Sequence, residues 1–450
     1  MNYVFLSVAI LILILVTLKY PIISLGLFLT TSVLKGVLMV NFPFFRTVDF
    51  TVLCGAYTLA AMAYSFVHRR GRVRDIFSVP ILLYILLAIL LLVSVAYSSS
   101  PRYGWEKSSR FATLGMIALL APIVFVRDIK DVRILFYLLI GVGIALAITT
   151  MVAPDVAVVR KAAESRGSFF EADPLETATR IGVAAILVFS FVVMSRTALV
   201  ARAASAGIIY LCVVAIVVTA SRGPFAGLLL TWLAALFIFR KGISKVWLPV
   251  AGAAVCLAVI IPFVVMPART TERIRHMFVG GDRIADTVYT RSPRFSFAWQ
   301  NSWRSPVFGH GTGAFAQDWA GHDERSYPHN MILELFYENG VVGVTIGMAF
   351  LIAILVRWRR AANIVYTYGF SIKEYHAVHV AGLLFIYTLM QAMKSGDLDG
   401  NRFMFFCSGL VIAAQGLVQR QAGDLFERYD YDQLVDPSVC CEGVEAYEAL

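Results

Sequence analysis

Charge is scarce in this chain. Of its 450 residues only 15% are Asp, Glu, Lys or Arg, against 59% hydrophobic, where a soluble domain carries about a quarter charged. The shortage is not evenly diluted: long apolar runs are broken by short charged ones, the pattern of a chain whose solvent is lipid. An ordinary two-layer soluble core is excluded. Cysteine is sparse as well. Cys54, Cys212, Cys256 and Cys407 fall in apolar runs, and Cys440 and Cys441 in the polar C-terminal stretch. None lies in the long polar loop and no C-x-x-C occurs, so neither a disulfide framework nor a zinc site of that pattern is expected. Cys440-Cys441 reads as an ordinary thiol pair rather than a lipidation site. The first apolar run, residues 4–18, lacks a basic leader and a small-residue cleavage site before Lys19 and Pro21. It is expected to be a retained helix, not a signal peptide. Internal repeats are missing too, which argues against a transporter built from two related halves.

What the chain has is apolar runs long enough to cross a bilayer, which takes about 20 residues. They fall at 3–19, 21–40, 48–67, 78–97, 108–126, 133–153, 179–195, 205–220, 223–240, 246–266, 329–356, 378–394 and 403–420. The first two are separated only by Lys19-Tyr20-Pro21, so twelve or thirteen spans are expected, in an all-α polytopic membrane protein. Ten candidate spans fill an N-terminal bundle, residues 1–266. A loop at 267–328 follows, then C-terminal transmembrane helices at 329–420 and a tail at 421–450. Short basic loops set the orientation. Arg69, Arg70, Arg72 and Arg74 share one side with Arg127, Lys130 and Arg133, with Arg240, Lys241 and Lys245, and with Arg357, Arg359 and Arg360. That side is assigned to the cytoplasm, and the tail with it.

The opposite face carries two loops, 154–178 and 267–328. The second is longer than a simple connection requires, and such loops are usually functional or folded. Within it, residues 269–278 and 291–303 read as short amphipathic helices, the latter with Phe295, Trp299 and Trp303 on one side. This face is basic. Between residues 269 and 304 there are seven arginines against Glu272, Asp282 and Asp286, and the smaller loop adds Arg160, Lys161 and Arg166. Arginine's planar fork suits a bidentate grip on phosphate oxygens. On charge alone, a diphosphate site and simple attraction to anionic headgroups fit equally well.

Two further features lie on that face. Thr219-Ala220-Ser221-Arg222-Gly223-Pro224 is a tight turn between apolar helices, and a guanidinium at that depth needs an anion or a water-filled cavity, or must snorkel to the headgroups. Downstream, Pro328 is expected to start a helix with His329 and Asn330 in its first turn. Asn330, Glu334 and Glu338 are spaced four apart and so share one helix face. Two carboxylates there should line a polar interior rather than lipid, and Gly343 and Gly347 are spaced for close helix packing.

Together these motifs resemble the O-antigen ligase and O-antigen polymerase superfamily of bacterial envelope enzymes. The resemblance is carried by Ser221-Arg222-Gly223 and by Arg294 through Trp299. It continues in the run from Ser305-Pro306-Val307-Phe308-Gly309-His310-Gly311-Thr312-Gly313 to Phe315, and in His329-Asn330 with Leu333-Glu334, Glu338, Gly340 and Gly343. It is best over about residues 205–345. The resemblance implies a GT-C-like helical bundle with a helical periplasmic cap in the bacterial inner membrane, multi-pass, with its site facing the periplasm. It also implies a glycan donor on undecaprenyl diphosphate, and inverting glycosyl transfer without a nucleotide sugar, cofactor or obligatory metal. The acceptor would be a growing polysaccharide (O-antigen, capsule or exopolysaccharide) or the lipid A–core of lipopolysaccharide. His329 would be the catalytic base and Arg222 would hold the diphosphate. Arg166 and Arg291, with Arg294 as an alternate, match further diphosphate-binding arginines. Asn330, Glu334 and Glu338 are expected at the substrate site. Trp299, Trp303, Phe315, Trp319 and Tyr327 are candidates for stacking on sugars, about half of them as the loop's own core.

The chemistry suits these residues. Charge grows on a lipid diphosphate as the sugar–phosphate bond breaks, and fixed arginines can stabilise it as a metal would. Histidine, with a pKa near 6.5, can take the acceptor's proton. Asp397 and Asp399 are the one departure. Such a pair can hold a divalent metal, but Lys394 and Arg402 stand beside them, and no metal is expected. Two competing classes use the same donor: a flippase or transporter of lipid-linked sugars, and a protein-directed oligosaccharyltransferase. The clustering of polar groups at one face favours surface chemistry over passage.

Overall fold

A computed structural model describes residues 2–31, 44–68, 77–152, 174–194, 199–219, 221–238, 282–394 and 397–435. The expected span at 246–266, the helix at 269–278, Arg166, and the basic clusters at 69–74 and 240–245 fall outside these residues. In chain order the helices are α1 (Asn2–Lys19), α2 (Ile22–Leu29), α3 (Phe50–His68), α4 (Val79–Ser94), α5 (Pro101–Phe125), α6 (Ile129–Val152) and α7 (Pro174–Met194). They continue with α8 (Leu199–Val218), α9 (Arg222–Ile238), α10 (Asp282–Ser302), α11 (Ala314–Ala320), α12 (Met331–Thr367), α13 (Ile372–Ala392) and α14 (Arg402–Val435). Eight helices among the described residues are long and apolar enough to cross a membrane, and the apolar α9 is shorter. No strand occurs among those residues. The chain is an all-α polytopic membrane protein.

The bundle is built from helices with one face on protein and one on lipid. In α4, Tyr84, Leu87 and Leu91 are buried while Leu82, Ile85, Leu86, Ile89 and Val93 are exposed. That split at helical spacing follows from the 3.6-residue turn. The buried face packs on α12, and α14 packs on α5, α12 and α13, while α7 lies against α6, α8, α9 and α13. Midway along α5, residues Phe111–Gly115 form a π turn. The Tyr84 hydroxyl donates to the Phe111 carbonyl at 2.7 Å, supplying a partner where the helical ladder shifts.

Two boundaries differ from the sequence reading. The span expected at 108–126 begins earlier, at Pro101, which puts Lys107 inside the helix with no exposed surface. The helix expected to open with His329 and Asn330 begins at Met331 instead. Asn330 is its N-cap, with backbone in the extended region and the side chain accepting from the Leu333 N–H at 2.9 Å. A capping asparagine satisfies an orphan N–H only from outside the helix, and that displaces His329 from the first turn.

Helix α12 is broken at Gly340, whose φ of 62° and ψ of −160° are not helical. The loop 305–313 fills the break. His310 and Gly311 N–H groups donate to the Tyr337 and Glu338 carbonyls, at 3.0 and 2.8 Å. Val341 and Val342 N–H groups donate to the Pro306 and Val307 carbonyls, at 2.8 and 3.3 Å. In lipid such freed groups must find partners, and here the loop provides them. The approach is close enough to require glycine: a Cβ on Gly309 would overlap the Glu338 backbone, and one on Gly340 the Val307 carbonyl. A buried cluster of Ser94, Thr312 and Asn339 locks the loop between α4 and α12. Asn339 Nδ2 donates to Ser94 Oγ at 2.9 Å, and the two hydroxyls lie 2.6 Å apart.

Candidate active site

The end of α13 is the point on which the site is assembled. Gln391 Nε2 reaches the Gly223 carbonyl in the first turn of α9 at 3.5 Å, next to Arg222, which is exposed at the start of that helix. Asn330 Nδ2 donates to the Met393 carbonyl at 2.9 Å, and Arg291 Nη1 donates to the Lys394 carbonyl at 3.2 Å. Three motifs far apart in sequence therefore meet on residues 391–394. Arg291 and Arg294, three apart on α10, share a helix face, and Arg294 Nη1 lies 2.9 Å from His329 Nε2.

His329 is held in an unusual way. Its φ of 62° is the one left-handed value among the described non-glycine residues, a conformation that bulky residues rarely adopt. The Tyr327 ring packs edge-on against the imidazole at 4.5 Å. A guanidinium can only donate, so Nε2 is the acceptor in the Arg294 contact and the ring proton sits on Nδ1.

Beside His329 runs an apolar cleft of about 600 Å³, lined by Phe295, Trp299, Trp303, Leu333, Phe336, Val341 and Met393, with Asn330 at its polar end. Trp299 and Trp303 are more than half exposed on it, whereas Phe315 is fully buried against Phe297, Trp319 and Tyr337. Of the aromatic residues considered for stacking, Phe315 is part of the loop's own core.

Glu334 and Glu338 do not face this cleft. Both are buried, and both pair with Lys107 Nζ from α5. Glu334 also accepts from the Leu398 N–H at 3.1 Å. The sequence signal for Lys107 was present: two carboxylates on one buried helix face require a cation. The stretch 101–107 is polar enough, however, to pass for a loop. Arg325 was missed as well. It grips Asp397 through Nε at 2.8 Å and Nη2 at 2.6 Å. Burial would raise the Asp397 carboxyl, but Arg325 outweighs it and holds that carboxyl below its usual range. Burial and the Asp397 charge together push Asp399 up to about 7. Asp397 is thus committed to an arginine, and no group of three or more metal-ligating side chains occurs among the described residues. Asp323 belongs to the same scaffold: it accepts from Ser100 Oγ and from the Arg102 and Tyr103 N–H groups, at 2.9 and 2.8 Å for the latter two, so closing the start of α5.

No curated protein matches the chain. Residues 206–348 match a family model described as O-antigen ligase. The matched stretch contains the Arg222 turn, the arginines of α10, the loop that fills the break in α12, and His329. That match supports the O-antigen ligase and polymerase superfamily over this stretch of the chain.

Proposed function

We propose that the protein is a metal-independent inverting glycosyltransferase, which moves a glycan from undecaprenyl diphosphate to an acceptor hydroxyl on the periplasmic face of the bacterial inner membrane. The observation that carries this reading is the meeting of Arg222's helix, Arg291, Asn330 and, through Arg294, His329 around residues 391–394. The apolar cleft alongside supports a lipid-borne donor: its aromatic and aliphatic walls suit an isoprenoid chain, while the arginines gathered around residues 391–394 and His329 suit the diphosphate.

In the reaction, the acceptor oxygen attacks the anomeric carbon from the face opposite the leaving group. The carbon–oxygen bond to phosphate breaks, and its electron pair leaves on the lipid diphosphate. Arg222, Arg291 and Arg294 stabilise the charge that grows there. The hydroxyl proton passes to His329 Nε2. Because Arg294 Nη1 contacts that nitrogen, donor binding has two effects. The diphosphate draws Arg294 onto its own oxygens, and Nε2 is released for the acceptor. Asn330 orients this turn by bonding both the Leu333 N–H and the Met393 carbonyl. Glu334 and Glu338 act on the substrate only indirectly, by fixing α12 to α5. Arg166 completes the proposed diphosphate set from the loop at 154–178.

The test uses purified protein, an undecaprenyl-diphosphate glycan and candidate acceptors. His329→Ala should lower the transfer rate roughly 10²–10⁴-fold, the usual worth of a general base. Arg222→Ala should lower it about 10²–10³-fold, and chelator should leave the wild type unchanged. Full transfer by both variants would rule out the assigned roles, and loss with chelator would revive a metal at Asp397 and Asp399. In cells, a deletion strain that accumulates long undecaprenyl-linked chains indicates a ligase. One that accumulates single repeats indicates a polymerase.

A further inference from the structure

Arg180 lies on α7, six residues past its first residue, or about 9 Å along the axis, at the end of the bundle that carries His329. Its guanidinium stacks on the Phe403 ring of α14 with Cζ 3.8 Å from the centroid. Nε and Nη1 are buried and have no hydrogen-bond partner among the described residues. The formal charges that act on it are Glu176, with no ion pair within contact distance among those residues, and Arg402. Arg402, next to Phe403, lies over the Phe28 ring at 6.0 Å. Asn401, one residue earlier, has a buried Nδ2 that is also without a partner.

The Arg402 charge acts unfavourably on Arg180, whose Nε and Nη1 have given up water without gaining a hydrogen bond among the described residues. Stacking on a phenyl ring returns about 0.5–2 kcal/mol, which does not replace lost hydrogen bonds to a charged donor. A charge held in this way inside a membrane domain marks a place where an anion or a water-filled cavity completes the arrangement. A carboxylate brings one charge and two oxygens. A phosphoryl group brings up to two charges and three oxygens, enough to satisfy both forks and the asparagine amide.

We infer that Arg180 and Arg402, with Asn401, form a seat for a phosphoryl group where α7 meets α14, separate from the arginines around His329. The group is either a phospholipid headgroup or a soluble phosphate. The inference does not depend on glycan transfer, because binding alone tests it.

The experiment measures the melting temperature of the full-length protein. One arm adds inorganic phosphate or diphosphate in neutral detergent. The other compares nanodiscs of phosphatidylglycerol with nanodiscs of phosphatidylcholine. Wild type should be stabilised in at least one arm: response to added phosphate identifies a soluble ligand, and response only to the anionic lipid identifies a headgroup. Arg222→Ala should keep a response, and Arg180→Met and Arg402→Gln should lose the part of it that Arg222→Ala keeps. Arg180→Met should also melt no lower than wild type when no anion is present, since it removes an unsatisfied charge. No response by the wild type in either arm would overturn the inference. So would a response lost in Arg222→Ala and kept in Arg180→Met, or an Arg180→Met protein that fails to fold, because the guanidinium would then be structural.

Discussion

Lys107 and His329 lie at the same end of the bundle, yet they are treated in opposite ways. Lys107 has no exposed surface and is held by two carboxylates from α12. His329 is half-buried, carries a left-handed backbone, and touches an arginine that has reason to leave it. In the first region the charged groups face one another inside the protein. In the second, five positive or proton-accepting groups are gathered: Arg222, Arg291, Arg294, Lys394 and the imidazole. Charge buried in a carboxylate–lysine cluster builds the scaffold, and basic groups gathered near the cleft suit an anionic substrate. This contrast, more than proximity to the membrane surface, separates Glu334 and Glu338 from the groups proposed to meet the donor.

The contrast breaks most visibly at Lys107. Lys107→Met keeps the length of the side chain but strands two buried carboxylates, and removing one partner of a buried pair costs about 3–5 kcal/mol. The protein should be recovered in low yield, with a melting temperature well below wild type. Adding Glu334→Gln and Glu338→Gln to Lys107→Met should recover much of that loss, because the stranded charges go too. A Lys107→Met protein of wild-type stability would mean that the cluster is not the scaffold described here.

His329→Gly should do the reverse. Glycine adopts positive φ without a steric penalty, so relief of the backbone strain should raise stability by up to about 1 kcal/mol. Transfer should fall by roughly 10²–10⁴-fold. A drop in melting temperature with activity retained would place His329 with Lys107, as part of the scaffold.

Much of this architecture was legible in the sequence, and the residues that escaped did so for identifiable reasons. Long apolar runs specify spans because no other structure satisfies the backbone in lipid. Arg291 and Arg294 could be placed together from their spacing alone. The break at Gly340 could not be seen, because the apolar pattern runs straight through it and the compensating hydrogen bonds come from residues 306–311, some thirty positions away. His329 was assigned to a first helical turn because Pro328 suggests a start. The cap that moved it outside depends on Asn330, which finds a second partner only at Met393. Lys107 and Arg325 were overlooked because an ion pair needs both partners in view, and theirs lie 227 to 231 and 72 positions away.

The finest test of the same contrast lies at the turn between α13 and α14, where one aspartate is paired with an arginine and its neighbour leans on that aspartate instead. Asp397 is fixed by Arg325, whereas Asp399 is pushed from its ordinary 3.8 to about 7 by burial and by Asp397. A carboxyl with a raised folded-state value favours the fold when protonated. Its contribution is fully present below its ordinary pKa and is lost as pH rises through about 7. Asp397 and Asp323, both held below their usual range, act oppositely and only under acid conditions, so they do not obscure the window from pH 5 to 8. Asp399→Asn keeps a neutral side chain at every pH. Its melting temperature relative to wild type should therefore climb between pH 5 and 8 and level off above that. A difference that stays flat across this range would show that Asp399 is ionised throughout, with Arg325 or Lys107 serving it as they serve Asp397 and the glutamates.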